Sequence, residues 1–248
     1  MKFHLFNFKP NGLIRAAWHL RAGHELCGSI SRLQQFVPVS INSMTTANNF
    51  AKVTKNLPPA KTILDVGANV SQMTKLLLQC LPDGVKVFSF EPNPELKPIG
   101  KVFNMALADR DGETTFYLPP DSTWGTIVAS KAQDWQNKEL KTKLRRFESL
   151  LASGEIKLEE MPRPILLKVD TEGCEFQTLS GFGDFLKQVD YIMIEVTNPH
   201  IVDASSDAGR IFSLLLQQGF DKSKVLYAGH DGSSLPDYLD VFFWKTGK

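Results

Sequence analysis

Apolar positions along the chain fall into short β-branched runs and longer runs with helical spacing. Lys61-Thr62-Ile63-Leu64-Asp65-Val66 is a buried run that carries an aspartate near its end, and Gly67-Ala68-Asn69-Val70-Ser71 follows as a tight loop. Met73, Leu76, Leu77 and Cys80 then recur at i, i+3, i+4 and i+7, which predicts a helix. Val85 to Phe90 reads as a second buried strand, ending in Glu91. Strand and helix alternate in this way through Leu81, the pattern of a parallel sheet covered on both faces, so the fold class is α/β. Asp109-Arg110-Asp111-Gly112 is a turn, and Glu113 to Leu118 alternates as a hairpin strand. Residues 130–146 are polar and lysine-rich, which predicts a solvated helix or strand face, with a substrate-facing basic patch as the other reading. Ile165 to Val169 and Tyr191 to Val196 are further apolar runs. Asp207 to Gln218 is helical, with Gly219 at the capping position. Val225 to Ala228 and Leu239 to Trp244 read as two closing strands.

Residues 1–60 lack any strand pattern. Leu13, Ile14, Ala17, Trp18 and Leu20 suggest an amphipathic helix, and Pro58-Pro59 sets off the first core strand. Two parts are therefore expected: a helical extension over 1–60 and a core domain over 61–248. The 248 residues, 42% hydrophobic, suit one α/β domain plus such an extension. The net charge of +1 gives no bulk attraction for nucleic acid, but it is unevenly spread. Residues 1–60 carry seven basic residues against Glu25 alone, a net +6, leaving −5 for the remainder. This predicts an arm that covers the site or makes peripheral contact with an anionic membrane; an ordinary helix packed on the sheet is the competing expectation. The odd count of cysteines, Cys27, Cys80 and Cys174, suggests neither a disulfide framework nor a zinc site. With no unbroken apolar stretch at the N-terminus and none near the ~20 residues of a span, the expectation is a cytoplasmic protein.

The chemistry concentrates at strand ends. The loop after Asp65 is not G-x-G-x-x-G and has too few glycines to cradle a pyrophosphate. An acid at this place disfavours NAD and suits a cationic, phosphate-free ligand, for which S-adenosylmethionine is the candidate. A plain turn capped by Asn69 or Ser71 is the alternative. Glu91 lies 26 residues beyond Asp65, near the spacing at which a carboxylate grips a ribose diol. Lys168 and Asp170 are two apart on one strand and share a face, either as a buried ion pair or as a site at the strand's carboxyl end. Glu172 and Glu175 suit the start of the next helix. Glu195 ends a neighbouring strand. With Asp170 and Asn198 it forms an alternative Mg²⁺ site; the favoured reading has no metal, the acids orienting substrate or capping loops. His200 is a candidate general base for a hydroxyl proton. No Asn/Asp-Pro-Pro-aromatic run follows the fourth strand, which argues against a nucleic-acid base as substrate.

Taken together, "LDVGAN", "FEPNP", "NMALADRDGE" and "LLKVDTEGCE" resemble the FkbM family of S-adenosylmethionine-dependent methyltransferases. "YIMIEV" and the later "QQGF" fit its fifth strand and next helix end, so the resemblance runs from about Lys61 to Trp244. It implies a Rossmann-like class I fold: a mostly parallel seven-stranded sheet with an antiparallel last strand and helices on both faces. It implies Asp65 and Gly67 at the cofactor's amino-acid end, Asn69 among the cofactor-binding residues, Glu91 on the ribose, and Ala106, Leu107 and Asp109 near the adenine. Lys168, Asp170, Glu172 and His200 become the catalytic candidates. The implied activity is O-methylation of a small-molecule or glycan hydroxyl. A non-catalytic binding or scaffold protein on the same fold is the alternative. This sequence departs from the family at Ser71, where glycine is usual, and in the short 94–100 crossover, where a helix is usual.

Overall fold

The computed structural model describes residues 40–120, 124–132, 138–197, 207–230 and 236–246. The Leu13–Leu20 stripe, Asn198 and His200 lie outside these residues. In chain order the elements begin with helix α1 (Ile41–Thr54), strand β1 (Thr62–Val66), helix α2 (Gln72–Leu78) and strands β2 (Lys86–Phe90) and β3 (Lys101–Phe103). Strands β4 (Ala106–Leu107), β5 (Gly112–Leu118) and β6 (Lys138–Arg145) follow, then helix α3 (Phe147–Ala152). Strand β7 (Ile165–Val169), helix α4 (Glu175–Phe182), strand β8 (Tyr191–Thr197), helix α5 (Asp207–Gln217) and strands β9 (Lys222–Gly229) and β10 (Tyr238–Trp244) are the last of the α-helices and strands among the described residues.

Seven strands form one sheet in the order β3-β2-β1-β7-β8-β10-β9. The β1, β2, β3, β7 and β8 pairings are parallel, and β10 runs antiparallel between β8 and β9. This is the Rossmann-like arrangement that the family resemblance implies, with its reversed last strand. The order turns back between β1 and β7, so the carboxyl edge there is the crevice where doubly wound sheets bind ligands.

Alternate residues of each strand feed two cores. Leu64, Val66, Leu167, Ile192, Ile194 and Phe243 point to the face covered by α3, α4 and α5, where Phe147, Leu179, Phe182 and Leu215 are buried. Ile63, Leu166, Met193 and Phe242 point to the other face, with Phe50 of α1 and Leu77 of α2. Phe50 is 1% exposed and meets the Phe242 ring edge-on at 5.4 Å. The part of the N-terminal extension in α1 is thus packed on the sheet.

The link from β2 to β3 has no helix. The lysine-rich stretch after residue 137 is strand β6, whose Lys138, Lys141 and Lys143 are exposed while Thr142 and Leu144 are buried. It joins β4 and β5 in a second, three-stranded sheet of order β4-β6-β5. The β1, β2, β7 and second-sheet ends frame the site.

Candidate functional site at the carboxyl edge of the sheet

Gly67 follows β1 with φ +71°, a conformation glycine adopts without strain. A Cβ there would lie 1.8 Å from the Asp170 carbonyl oxygen, so the β1 and β7 loops touch backbone to backbone. The Gly67 and Ala68 N–H groups both donate to the Phe90 carbonyl at 3.1 Å. Among the described residues three non-glycine residues adopt positive φ, and all belong to these loops: Asn69 (49°), Ser71 (55°) and Glu172 (54°). Left-handed backbone at such residues costs on the order of 1–3 kcal/mol each and concentrates at functional sites. Ser71 therefore takes up in strain what a glycine would accept freely.

Glu91 stands at the tip of β2 and is 4% exposed. Its Oε2 accepts from the Asn69 N–H at 2.7 Å and its Oε1 from the Asn93 N–H at 2.9 Å. Each carboxylate oxygen offers about two acceptor directions, so one per oxygen remains. Burial pushes its pKa above the ordinary value, against the pull of those two N–H bonds.

Asp65 is fully buried one layer beneath the loop. Its Oδ2 accepts from Ser71 Oγ at 3.2 Å and Thr74 Oγ1 at 2.7 Å, and its Oδ1 lies 3.2 Å from Lys168 Nζ. The cause is register: Asp65 and Lys168 are opposed on the paired strands β1 and β7. Lys168 also donates to the Gly67 carbonyl at 2.8 Å and lies 3.3 Å from Asp170 Oδ2. Burial alone would push its ammonium pKa down; Asp65 and Asp170 together hold it above the ordinary lysine value. Asp65 and Lys168 therefore brace the site from below, and neither lines the cavity above them.

That cavity is lined by Val66, Gly67 and Asn69 from the first loop and by Phe90, Glu91 and Pro92 from the second. Met105, Ala106 and Leu107 come from the β3–β4 region, and Asp170, Thr171, Glu172 and Cys174 from the β7 loop. Phe116, Trp124, Gly125 and Ile127 come from β5 and the segment beyond it. Seven residues singled out in the sequence thus meet at one cavity: Gly67, Asn69, Glu91, Ala106, Leu107, Asp170 and Glu172. Asp109 does not; it forms an exposed ion pair with Arg110 at 3.3 Å. The lysines of β6 are absent from the lining as well. Phe116 and Trp124 were not legible as site residues. The available signal was a tryptophan inside the turn-forming stretch Pro119 to Gly125.

Glu175 begins α4, and its Oε1 accepts from the N–H groups of Thr171 at 3.1 Å and Gly173 at 2.9 Å, which fixes the β7 loop. Glu195 on β8 is opposed to Asp240 on β10. Burial first, then Asp170, Glu172, Asp240 and Glu175, push its pKa up to about 9. Burial raises Asp240 to about 6, although Thr46 of α1 donates to it at 2.6 Å. Among the described residues no group of three or more Asp, Glu, His or Cys side chains is placed to hold a metal ion. Asn198, one of the three expected Mg²⁺ ligands, and His200 lie outside those residues. Among the described residues no helix is long and apolar enough to cross a membrane.

Residues 65–222 match the family described as the methyltransferase FkbM domain. The chain belongs to the FkbM methyltransferase family. Two curated relatives are similar to this FkbM chain. The AMB antimetabolite synthetase AmbE of Pseudomonas aeruginosa is 27% identical over 213 residues, covering 67% of this chain and 10% of its own length. The hexuronic acid methyltransferase AglP of Haloferax volcanii is 27% identical over 143 residues, 53% of this chain and 54% of its own. The chain thus spans about half or less of the curated relatives it matches. Among solved structures, an O-methyltransferase from Bacillus cereus in complex with SAH aligns over 96% of this chain and 93% of that chain, with TM-score 0.47 and 13% identity.

Proposed function

We propose that this chain binds S-adenosylmethionine in the cavity at the β1, β2 and β7 tips and transfers its methyl group to a hydroxyl of a small molecule or glycan. Glu91 carries the reading. It is a buried carboxylate in the cavity wall, fixed by two backbone N–H groups, with one acceptor direction left on each oxygen. A vicinal diol supplies two donors at that spacing, and a ribose is the diol expected at the tip of a second strand. The other lining groups fit the same ligand. Pro92, Met105, Ala106 and Leu107 give an apolar wall for a purine, and Gly67 and Asn69 line the cavity where the amino-acid end would lie.

S-Adenosylmethionine, held by Glu91, Gly67 and Asn69, would supply an electrophilic sulfonium methyl to the acceptor oxygen with the neutral thioether as leaving group, and the hydroxyl proton would leave through Asp170 to solvent. The chain's own residues align the partners, which is the main demand of an in-line displacement. Asp170, held by Lys168, offers its carboxylate to the acceptor hydroxyl and orients it. Asp65 acts through Lys168 and through Ser71 and Thr74, fixing the loop rather than touching ligand. The glycan part of the reading is supported by the relative named a hexuronic acid methyltransferase. The test is transfer of a labelled methyl group from S-adenosylmethionine to a panel of hydroxylated acceptors, with Asp170→Asn as control. Turnover falling in the variant while cofactor affinity holds supports the assignment; equal turnover removes Asp170 from it.

A further inference from the structure

Ser71 closes the first loop and is 1% exposed. It stands at the N-terminal cap of α2, the place where a serine hydroxyl ordinarily accepts from the first turn of the helix, yet its side chain makes no capping bond there. Its backbone is left-handed, which glycine would adopt without strain. Neither helix capping nor backbone preference accounts for a serine at this position. The bonds of its hydroxyl do.

Ser71 Oγ donates to Asp65 Oδ2 at 3.2 Å and accepts from the Ile99 N–H at 3.2 Å. Asp65 is a fixed anchor, held in turn by Thr74 at 2.7 Å and Lys168 at 3.2 Å. Ile99 is held from its other side as well, since its carbonyl accepts from Ser89 Oγ at 2.7 Å. A Cβ on the next residue, Gly100, would lie 2.3 Å from the Val87 carbonyl oxygen, so the chain is pressed directly onto β2. The far end of the 94–100 link is therefore pinned, although the link has no helix of its own. Its near end begins at Asn93, whose N–H donates to Glu91 Oε1 at 2.9 Å and whose Oδ1 accepts from the Glu95 N–H at 3.0 Å.

Two rungs thus join the first loop to the chain that follows β2. The front rung faces the cavity: the Asn69 N–H donates to Glu91 Oε2 at 2.7 Å. The rear rung is the Ile99–Ser71 bond, behind the cavity wall, which Ser71 itself does not line. A carboxylate grips a diol only if its own donors are held in place, and holding them beforehand lowers the cost of ordering on binding.

We propose, building on the cofactor reading above, that Ser71 is a positioning residue for cofactor binding: its hydroxyl locks the 94–100 link to the first loop and so keeps the Asn69–Glu91 contact in the geometry that receives the ribose diol. The test uses the full chain, calorimetry with SAH and two variants. Ser71→Gly removes the hydroxyl and relieves the left-handed backbone, whereas Ser71→Ala removes the hydroxyl and keeps the strain. Both should weaken SAH by about fivefold, because both lose the same tie. Ser71→Ala should nevertheless melt about 2–4 °C below Ser71→Gly. Equal losses of affinity at unequal stability mark positioning, which general destabilisation would not produce. Adding Ser71→Gly to Glu91→Ala should weaken SAH by less than about twofold further, since the hydroxyl acts through Glu91. Without ligand, the Ile99 amide of Ser71→Gly should exchange with solvent at least about tenfold faster than in the wild type. Unchanged SAH affinity in Ser71→Gly, losses that follow melting temperature, a full fivefold loss on the Glu91→Ala background, or unchanged Ile99 exchange would each overturn the proposal. A wild-type chain that binds neither SAH nor S-adenosylmethionine would overturn the reading on which it rests, and calorimetry on the wild type, run first, separates that failure from the others.

Discussion

At the scale of single residues, the buried pair of Asp65 and Lys168, with the part-exposed Asp170 beside it, is the most consequential arrangement. Removing one partner from a buried ion pair leaves an uncompensated charge, which costs about 3–5 kcal/mol. Lys168→Met should therefore lower unfolding stability by that amount in a denaturant titration, because Asp65 stays fully buried beside it. Loss below about 1 kcal/mol, the range of exposed pairs, would mean that Asp65 does not depend on the lysine. Gly67→Ala should be comparably damaging, since its Cβ has no room beside the Asp170 carbonyl. The sequence made part of this visible. Lys168 and Asp170 share a strand face, and a lysine in an apolar strand requires a partner. Asp65 as that partner was not visible, because the register between β1 and β7 is set by tertiary pairing across about a hundred residues of chain. Asp65 was expected on the ligand for its place before a glycine loop; its side chain instead points beneath the loop.

At the scale of elements, strand periodicity and acid-tipped strands were readable because they are local. The second sheet was only half readable. Glu113 to Leu118 alternates as a strand, but β6 carries so many lysines that helix and strand faces look alike until Thr142 and Leu144 are seen to be buried. Trp124 escaped notice for the same reason: its segment has no period, and its place comes from Thr126, whose hydroxyl donates to the Glu172 carbonyl at 2.8 Å. The β8–β10 pair yields a pH prediction. Glu195 rises from an ordinary 4.5 to about 9, so between those values the folded state holds a proton that the unfolded chain releases. Stability from this group is full below about pH 4.5 and lost as pH rises toward 9. Glu195→Gln should remove that slope, leaving the variant more stable than the wild type at pH 8 and nearly equal at pH 4. Parallel stability–pH curves for the two proteins would contradict the assignment.

At the scale of the whole molecule, the described part of the N-terminal extension belongs to the packed structure. Helix α1 buries Phe50 against Phe242, donates from Asn49 to the Leu226 carbonyl at 2.7 Å, and reaches Asp240 through Thr46. Phe50→Ala should cost about 3–5 kcal/mol, read as a lower denaturant midpoint with unchanged slope. A negligible change would show that α1 is dispensable to the sheet. The packing of α1 on β9 and β10 joins residues as far apart in sequence as Thr46 and Asp240, which no local pattern in residues 41–54 could announce. Glu91 is proposed to mark a cofactor cavity shared by the β1, β2 and β7 tips. Isothermal titration calorimetry with SAH on the full chain and on Glu91→Ala tests it most directly. One site per chain is expected, weakened by about ten- to a hundredfold in the variant, the loss of a charged acceptor worth about 1.5–3 kcal/mol. No binding by the wild-type chain, or equal affinity in the two proteins, would contradict it.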